Sequence, residues 1–237
     1  MNPYIKLHLS WSFLKDMNKL VTFGDSFLAQ RVYYKELEPT SWIDMVCQKN
    51  NFTLDGYGDG GTGPYNAIFN FLNYREDFDI CFFSWSHISR VIYNNRRVID
   101  IVKGKQKEMD ISGEELTELY HKYFFSTDEF EWVKAQAMLE WFDRYLQKIY
   151  KDRKFIHLYC FKINDKDFYP HTFKHGINVF PFLSEFAKID EPKDIGDDYR
   201  KLHMSPKVHV SFARQLNEVL DNNSLNDGDT VEFDIEH

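Results

Sequence analysis

The chain has 237 residues, a length that favours one compact domain, or one domain with a sizeable insertion, over two separate domains. Hydrophobic residues make up 43% and aromatic residues 17%, so the chain can bury a large core and is neither disordered nor collagen-like. The 29 Lys and Arg residues against 37 Asp and Glu give a net charge of −8, which disfavours general binding to nucleic acid or to anionic membranes.

Targeting and redox signals favour a cytoplasmic protein. No apolar stretch is long enough to span a membrane, and residues 1–6 carry neither an uninterrupted apolar run nor a small-residue cleavage site. We therefore expect no membrane span and no secretion. The cysteines Cys47, Cys81 and Cys160 are scattered through apolar runs, which predicts buried free thiols in a reducing compartment.

The N-terminal part of the chain predicts strands and helices in alternation. Residues 20–24 are an apolar run that stops at a Gly-Asp-Ser turn, which predicts a buried strand. A helix is predicted over residues 41–50, with Ser41 as its N-cap, because its apolar residues fall on one helical face. The glycine-rich stretch 55–64 precedes a predicted helix over about residues 65–74.

The middle of the chain holds the clearest elements. Residues 79–85 predict a buried strand, and the charged, irregular stretch that follows, at about residues 90–128, is interpreted as an insertion or lid after the third strand. Residues 129–152 carry the strongest helical periodicity, and residues 154–161 predict another buried strand.

The C-terminal part predicts a long loop over residues 162–196 and a helix over residues 206–220. An acidic tail at about residues 222–237 has an alternating pattern that could add an edge strand. No repeat or linker divides the chain, so we expect a single domain over residues 1–237. The alternation of elements predicts a three-layer α/β/α sandwich around a mainly parallel sheet.

The tripeptide Gly24-Asp25-Ser26 is the first motif that could carry chemistry. A serine at the carboxyl end of a buried strand lies where α/β sheets bind ligands, and its hydroxyl could be a nucleophile next to backbone N–H groups. In the plainer interpretation, Asp25 or Ser26 caps a helix in an ordinary loop.

The second motif is His203, which stands just before the C-terminal helix and follows a group of acidic residues. An imidazole in this position could reach over the sheet edge as a general base, oriented by an acid. Without the first motif, an exposed loop histidine before an amphipathic helix would be the better interpretation.

Taken together, the motifs resemble the SGNH/GDSL hydrolase superfamily. The resemblance covers about residues 20–220 and rests on four short blocks, of which Gly24-Asp25-Ser26 and His203-Met-Ser-x-x-x-His209-x-x-Phe-Ala are specific in order and spacing. It implies a flavodoxin-like α/β/α fold and a metal-independent and cofactor-independent esterase, lipase, deacetylase or acyltransferase. The ester substrate would be a small molecule or an O-acylated glycan.

The resemblance assigns roles residue by residue. Ser26 matches the nucleophile, and its own N–H would contribute to the oxyanion hole together with Gly61 or, as the near alternative, Gly60. His203 matches the general base, whereas His209 matches a structural helix position and is left out of the triad.

Two positions depart from the family pattern. The third block, usually Gly-x-Asn-Asp, reads Ser84-Trp85-Ser86-His87 here, so Ser86 is the best substitute for the oxyanion asparagine, with His87 or Arg90 as further donors. This form resembles a divergent subgroup often found in bacteriophage-encoded members, which would place the protein in the host cytoplasm or in a virion. Losing one oxyanion donor typically costs about 10²–10³ in rate.

The acid of the triad is the second departure. The family aspartate three residues before the histidine is replaced by Arg200, and Asp198 is the best substitute, with Asp197 next. The sequence thus predicts an ester hydrolase with Ser26, His203 and Asp198. The alternative is a catalytically degenerate fold serving as a structural or glycan-binding component, with oligomer or virion association. A flavodoxin-like cofactor binder is disfavoured, because the first turn lacks a hydroxyl-rich phosphate loop.

The pair His171 and His175 has the spacing of helical metal ligands. Pro170 and Gly176 bracket it, and no cysteine or paired acid follows, so we predict no zinc site there.

Overall fold

The computed structural model describes residues 18–25, 27–28, 41–58, 62–88, 92–93, 96–97, 128–160, 171–187, 204 and 206–234. The strands are β1 Lys19–Gly24, β2 Thr53–Gly58, β3 Ile80–Trp85, β4 Ile92–Tyr93, β5 Arg96–Arg97, β6 Lys154–Tyr159, β7 Ile177–Phe180 and β8 Thr230–Glu232. The helices are α1 Trp42–Asn50, α2 Pro64–Asn73, α3 Asp128–Ile149, α4 Leu183–Ala187 and α5 Pro206–Asp221.

Six strands form one sheet in the order β2-β1-β3-β6-β7-β8, and every neighbouring pair is parallel. The first five positions follow the flavodoxin-like order, and β8 extends the sheet by one strand. The predicted α/β fold with a mainly parallel sheet is therefore confirmed. The short strands β4 and β5 pair antiparallel in a separate hairpin.

Helices cover both faces of this sheet. Side chains from α1 and α5 pack against one face, together with alternate residues of the central strands such as Leu20, Phe82 and Leu158. Side chains from α2 and α3 pack against the other face, which receives the intervening residues such as Phe83 and Phe155. Because each central strand is buried on both faces, its sequence is a mainly apolar run rather than an alternating one.

Several predicted elements are confirmed closely. The strands at residues 20–24, 79–85 and 154–161 correspond to β1, β3 and β6, and the tail supplies β8. Ser41 caps α1 as predicted, because its hydroxyl accepts a hydrogen bond from the Asp44 amide at 3.4 Å.

Two stretches contain elements that the sequence does not predict. The first residues of the glycine-rich stretch 55–64 belong to β2, and the predicted loop over residues 162–196 is wrong in part, because it contains β7 and α4. The insertion at residues 90–128 lies largely outside the described residues, which include the hairpin within it.

All three cysteines are free, as predicted. Cys81 and Cys160 are buried, whereas Cys47 is only half-buried, and burial raises the pKa of its thiol to about 12. Within the part of the chain that the structure describes, no helix is both long enough and apolar enough to cross a lipid bilayer.

Candidate functional site

The candidate site lies at the carboxyl edge of the sheet, between β1 and β3. These strands are neighbours at the centre of the sheet, and the chain leaves β1 toward β2 on one side and returns to β3 on the other. Such a topological switch point opens a crevice outside the carboxyl ends of the strands, where α/β proteins bind their ligands. The turn that follows β1 begins with Asp25, and β3 ends at Trp85.

Asp25 is fully buried in this edge and is tied to β3 by two hydrogen bonds. The Ser84 hydroxyl donates to Asp25 Oδ1 at 2.7 Å, and the Asp25 amide donates back to Ser84 Oγ at 3.1 Å. The same carboxylate oxygen also accepts a hydrogen bond from the Phe27 amide at 3.1 Å. The carboxylate thus links the residues on both sides of position 26.

A third strand adds a thiol to this group. Cys160, directly after β6, places its Sγ 3.4 Å from Asp25 Oδ1 and 3.3 Å from Ser84 Oγ. All three side chains are at most 1% exposed. The edge therefore contains a water-excluded group of polar side chains from three adjacent segments, which we name the Asp25 cluster: Asp25, Ser84 and Cys160.

Two glycines allow the backbone to come this close. A Cβ on Gly24 would lie 2.6 Å from both the carbonyl oxygen and the hydroxyl oxygen of Ser84. A Cβ on Gly58, at the end of β2, would overlap the Asp25 carbonyl oxygen. Any side chain at either position would push the first turn away from its neighbours, so both glycines are needed for close approach.

The segment after the glycine-rich turn also reaches the end of β1. Thr62 is buried and donates a hydrogen bond from its hydroxyl to the Gly24 carbonyl at 3.2 Å. The residue that directly follows Gly61 is thus bonded to the residue two positions before Ser26. Pro64 begins α2 immediately afterwards.

At the end of β3, successive side chains lie on opposite faces of the sheet. Ser84 belongs to the Asp25 cluster, whereas Trp85 lies on the opposite face, stacked between Phe83 and Phe173 at centroid distances of 4.8 Å. Ser86, the candidate oxyanion donor, follows Trp85 and is buried. Ser84 and Trp85 thus lie on opposite faces, as successive residues of a strand do, whereas the role of Ser86 as an oxyanion donor stays a prediction.

Most of the predicted site residues lie outside the described residues. These are the nucleophile Ser26, the general base His203, the acid Asp198 with its alternative Asp197, the oxyanion glycine Gly61 with its alternative Gly60, and Arg90. The roles assigned to these residues therefore remain predictions. The described neighbours are Asp25 and Phe27 around position 26, Thr62 after position 61, and Met204 after position 203, which is buried in the α1 and α5 core.

His209 makes a structural contact between two helices. Its Nδ1 accepts a hydrogen bond from the Trp42 amide at 3.1 Å, so a side chain of α5 satisfies one of the free N–H groups at the start of α1. Both helices precede a parallel strand, and their first residues therefore lie at the carboxyl edge of the sheet. His209 holds these two helix starts together.

The pair His171 and His175 is engaged in contacts within the protein. His171 Nε2 lies 3.0 Å from Asp143 Oδ2, and His175 Nδ1 lies 2.7 Å from Asp227 Oδ2. The second ring nitrogen of His175 lies 3.0 Å from the Tyr150 carbonyl oxygen. Among the residues whose placement is described, no group of three or more His, Cys, Asp or Glu side chains could hold a metal ion.

Sequence reasoning found Asp25 only as part of a motif and missed Ser84 and Cys160 as its partners. Ser84 sits 59 residues from Asp25, and Cys160 sits 135 residues away. Ser84 is the next-to-last residue of β3, and Cys160 directly follows β6, so the signal of each in the sequence is a small polar or thiol side chain where a mainly apolar run ends.

Comparison with known proteins gives no further assignment. The chain matches no protein-family model, no curated protein and no solved structure.

Proposed function

We propose that the protein is a serine ester hydrolase with Ser26 as its nucleophile. The observation that carries this proposal is the double anchoring of the turn after β1. The buried Asp25 carboxylate accepts hydrogen bonds from the Phe27 amide and from the Ser84 hydroxyl of β3, and the Asp25 amide donates to the same hydroxyl. A nucleophile needs a fixed position, and a turn held on both sides of residue 26 at a topological switch point supplies one.

The proposed chemistry is acyl transfer to serine followed by hydrolysis. His203 takes the Ser26 proton as the hydroxyl attacks the ester carbonyl, and Asp198 stabilises the imidazolium that forms. The N–H groups of Ser26 and Gly61 and the Ser86 hydroxyl stabilise the oxyanion. His203 then protonates the leaving alcohol, and water releases the acid by the same steps in reverse. An O-acyl group on a glycan is the substrate class that we propose.

Two features support these roles without depending on the nucleophile itself. Thr62 bonds to Gly24, so the neighbour of Gly61 and the turn after β1 meet at one edge. Met204 is buried among the side chains of α1 and α5, whose first residues lie at the same edge because both helices precede parallel strands. His203 directly precedes Met204 in the sequence.

The decisive experiment is covalent labelling with a fluorophosphonate, paired with hydrolysis of p-nitrophenyl acetate. We expect wild-type protein to be labelled at Ser26, and Ser26→Ala and His203→Ala to lose at least about 10³-fold in kcat. Ser224→Ala is a matched control, because Ser224 is an exposed serine in the turn after α5 and should retain full activity.

A catalytically degenerate scaffold is the competing function. It is favoured by the departures at Ser86 and Arg200, where the family pattern has an oxyanion asparagine and a triad acid. Equal hydrolysis by wild type and Ser26→Ala, with no fluorophosphonate uptake by either, would establish that alternative.

A further inference from the structure

We propose that Ser84 is a positioning residue that fixes the place of residue 26 through Asp25. The inference rests on the proposed function for its catalytic readout, whereas its structural readout does not. Ser84 touches no reacting atom in this scheme and acts only through the turn that follows β1.

The geometry of the contact carries the inference. Ser84 Oγ is at once a donor to Asp25 Oδ1 and an acceptor from the Asp25 amide, so one hydroxyl holds both the backbone and the side chain of Asp25. The carboxylate then holds the Phe27 amide. This chain of contacts starts on β3 and reaches the residues before and after position 26.

The surroundings make the hydroxyl hard to replace. Asp25 and Ser84 are at most 1% exposed, so bulk water does not reach the carboxylate to take the place of a lost donor. Cys160 Sγ also approaches Asp25 Oδ1, but a thiol is a weak donor. Removing the Ser84 hydroxyl would therefore remove both hydrogen bonds between Asp25 and β3, and the turn would be held less firmly.

The catalytic test is the kinetics of Ser84→Ala. We expect kcat to fall by about 10- to 100-fold with KM unchanged, because a small displacement of the nucleophile slows the chemical step without removing substrate contacts. Thr22→Val is the matched control. It removes a buried hydroxyl from β1 that has no hydrogen-bond partner in the described part of the chain, so its kcat should stay within about twofold of wild type.

A double-mutant cycle identifies the route. If Ser84 acts through Asp25, Ser84→Ala should cause little further loss in an Asp25→Ala background. An equal loss in both backgrounds would overturn the proposal, as would a full kcat in Ser84→Ala.

Amide hydrogen exchange separates this inference from the proposed function and requires no active enzyme. In wild type the Asp25 and Phe27 amides should be protected like those of β1, and in Ser84→Ala they should exchange at least about tenfold faster than in wild type while the Val21 amide is unchanged. Faster exchange in a protein that takes up no fluorophosphonate would reject the hydrolase and keep the positioning role. Unprotected Asp25 and Phe27 amides in wild type would overturn the positioning role even if Ser84→Ala does not fold.

Discussion

The two faces of the sheet are built from different residues. Among the residues that the structure describes, ten of the eighteen core residues clustered on the face covered by α2 and α3 are aromatic. Within the same described residues, six of the twenty-three clustered on the face covered by α1 and α5 are aromatic, and most of the rest are Leu, Ile and Val. We refer to them as the aromatic face and the aliphatic face.

The faces also differ in where they keep polar groups. The aromatic face holds buried polar side chains deep in the core, among them His157, Tyr159 and Asn178. On the aliphatic face, the Asp25 cluster lies at the carboxyl edge of the sheet, and Thr22 and Asn217 are further buried polar residues. Aromatic side chains can surround a polar group because Trp and Tyr bring their own donors, whereas aliphatic side chains have none to offer.

His157 shows how the aromatic face satisfies a buried polar ring. Its Nδ1 accepts a hydrogen bond from Trp85 Nε1 at 3.1 Å, and its Nε2 lies 2.8 Å from the His175 carbonyl oxygen. The first contact requires an unprotonated Nδ1, so the ring is neutral with the proton on Nε2. The ring also stacks on Phe173 at a centroid distance of 3.9 Å. Burial lowers its pKa to about 3.

The largest expected effect is a loss of stability in acid that originates on the aromatic face. Below about pH 6.5 the unfolded chain protonates His157, whereas the folded protein does so only near pH 3, so protons favour unfolding. The free energy of unfolding should be independent of this group above pH 6.5 and fall by about 1.4 kcal/mol per pH unit below it. The accumulated loss of stability is about 5 kcal/mol near pH 3. Urea unfolding at several pH values measures this slope.

His157→Phe tests whether the slope belongs to this ring. The variant keeps an aromatic ring in the stack but leaves Trp85 Nε1 and the His175 carbonyl without their partner. We therefore expect lower stability than wild type at pH 7 and a flatter slope between pH 6 and pH 4. A slope equal to that of wild type would mean that other groups cause the acid sensitivity.

The next largest effect is expected from Asp143, on α3 at the border of the aromatic face. Its buried carboxylate accepts hydrogen bonds from the Lys174 and His175 amides at 2.9 and 3.1 Å and from Gln147, and it contacts His171. Although burial alone would raise the pKa of Asp143, these contacts lower it to about 2. The carboxylate stabilises the fold above about pH 4, and this contribution disappears as the pH falls toward 2.

Asp143→Ala should lower the free energy of unfolding by roughly 3 kcal/mol at pH 7, because it leaves buried donors without an acceptor. Glu140→Ala is the control on the same helix. Glu140 pairs with Arg144 on the exposed surface, and its loss should cost at most about 0.5 kcal/mol. Similar losses in the two variants would show that the Asp143 contacts contribute little to stability.

The elements that the sequence predicts well are those that carry their own pattern. β1, β3 and β6 are apolar runs because both faces bury them, and α3 has a long helical period. β2 lies at an edge of the sheet and contains Gly56 and Gly58, so it forms by pairing with β1 rather than from its own composition. β7 has only four residues, and Asn178 interrupts its apolar run.

Asn178 also shows why such a strand escapes sequence analysis. Its side chain is bonded to the Tyr159 hydroxyl at 2.6 Å and to the Phe173 carbonyl at 2.8 Å, partners that only the folded chain brings near. The same holds at the candidate site. The Gly24-Asp25-Ser26 turn is visible in the sequence, but the contact between Asp25 and Ser84 depends on β1 and β3 being neighbours in the sheet.

The smallest expected effect concerns the one position where a polar side chain interrupts the interior of the aliphatic face on β1. Thr22 lies between Leu20 and Gly24 on that face, is fully buried, and its hydroxyl has no hydrogen-bond partner within the described residues. A buried hydroxyl without a partner loses its hydration and gains nothing in return, and valine has almost the same shape without that cost. Thr22→Val should therefore raise the free energy of unfolding by about 1 kcal/mol, seen as a higher urea midpoint with an unchanged m value. Asn178→Leu removes a hydrogen-bonded polar group from the aromatic face and should instead lower the free energy of unfolding. A loss of stability in Thr22→Val would show that this hydroxyl has a partner in solution and that the aliphatic face tolerates polar groups as the aromatic face does.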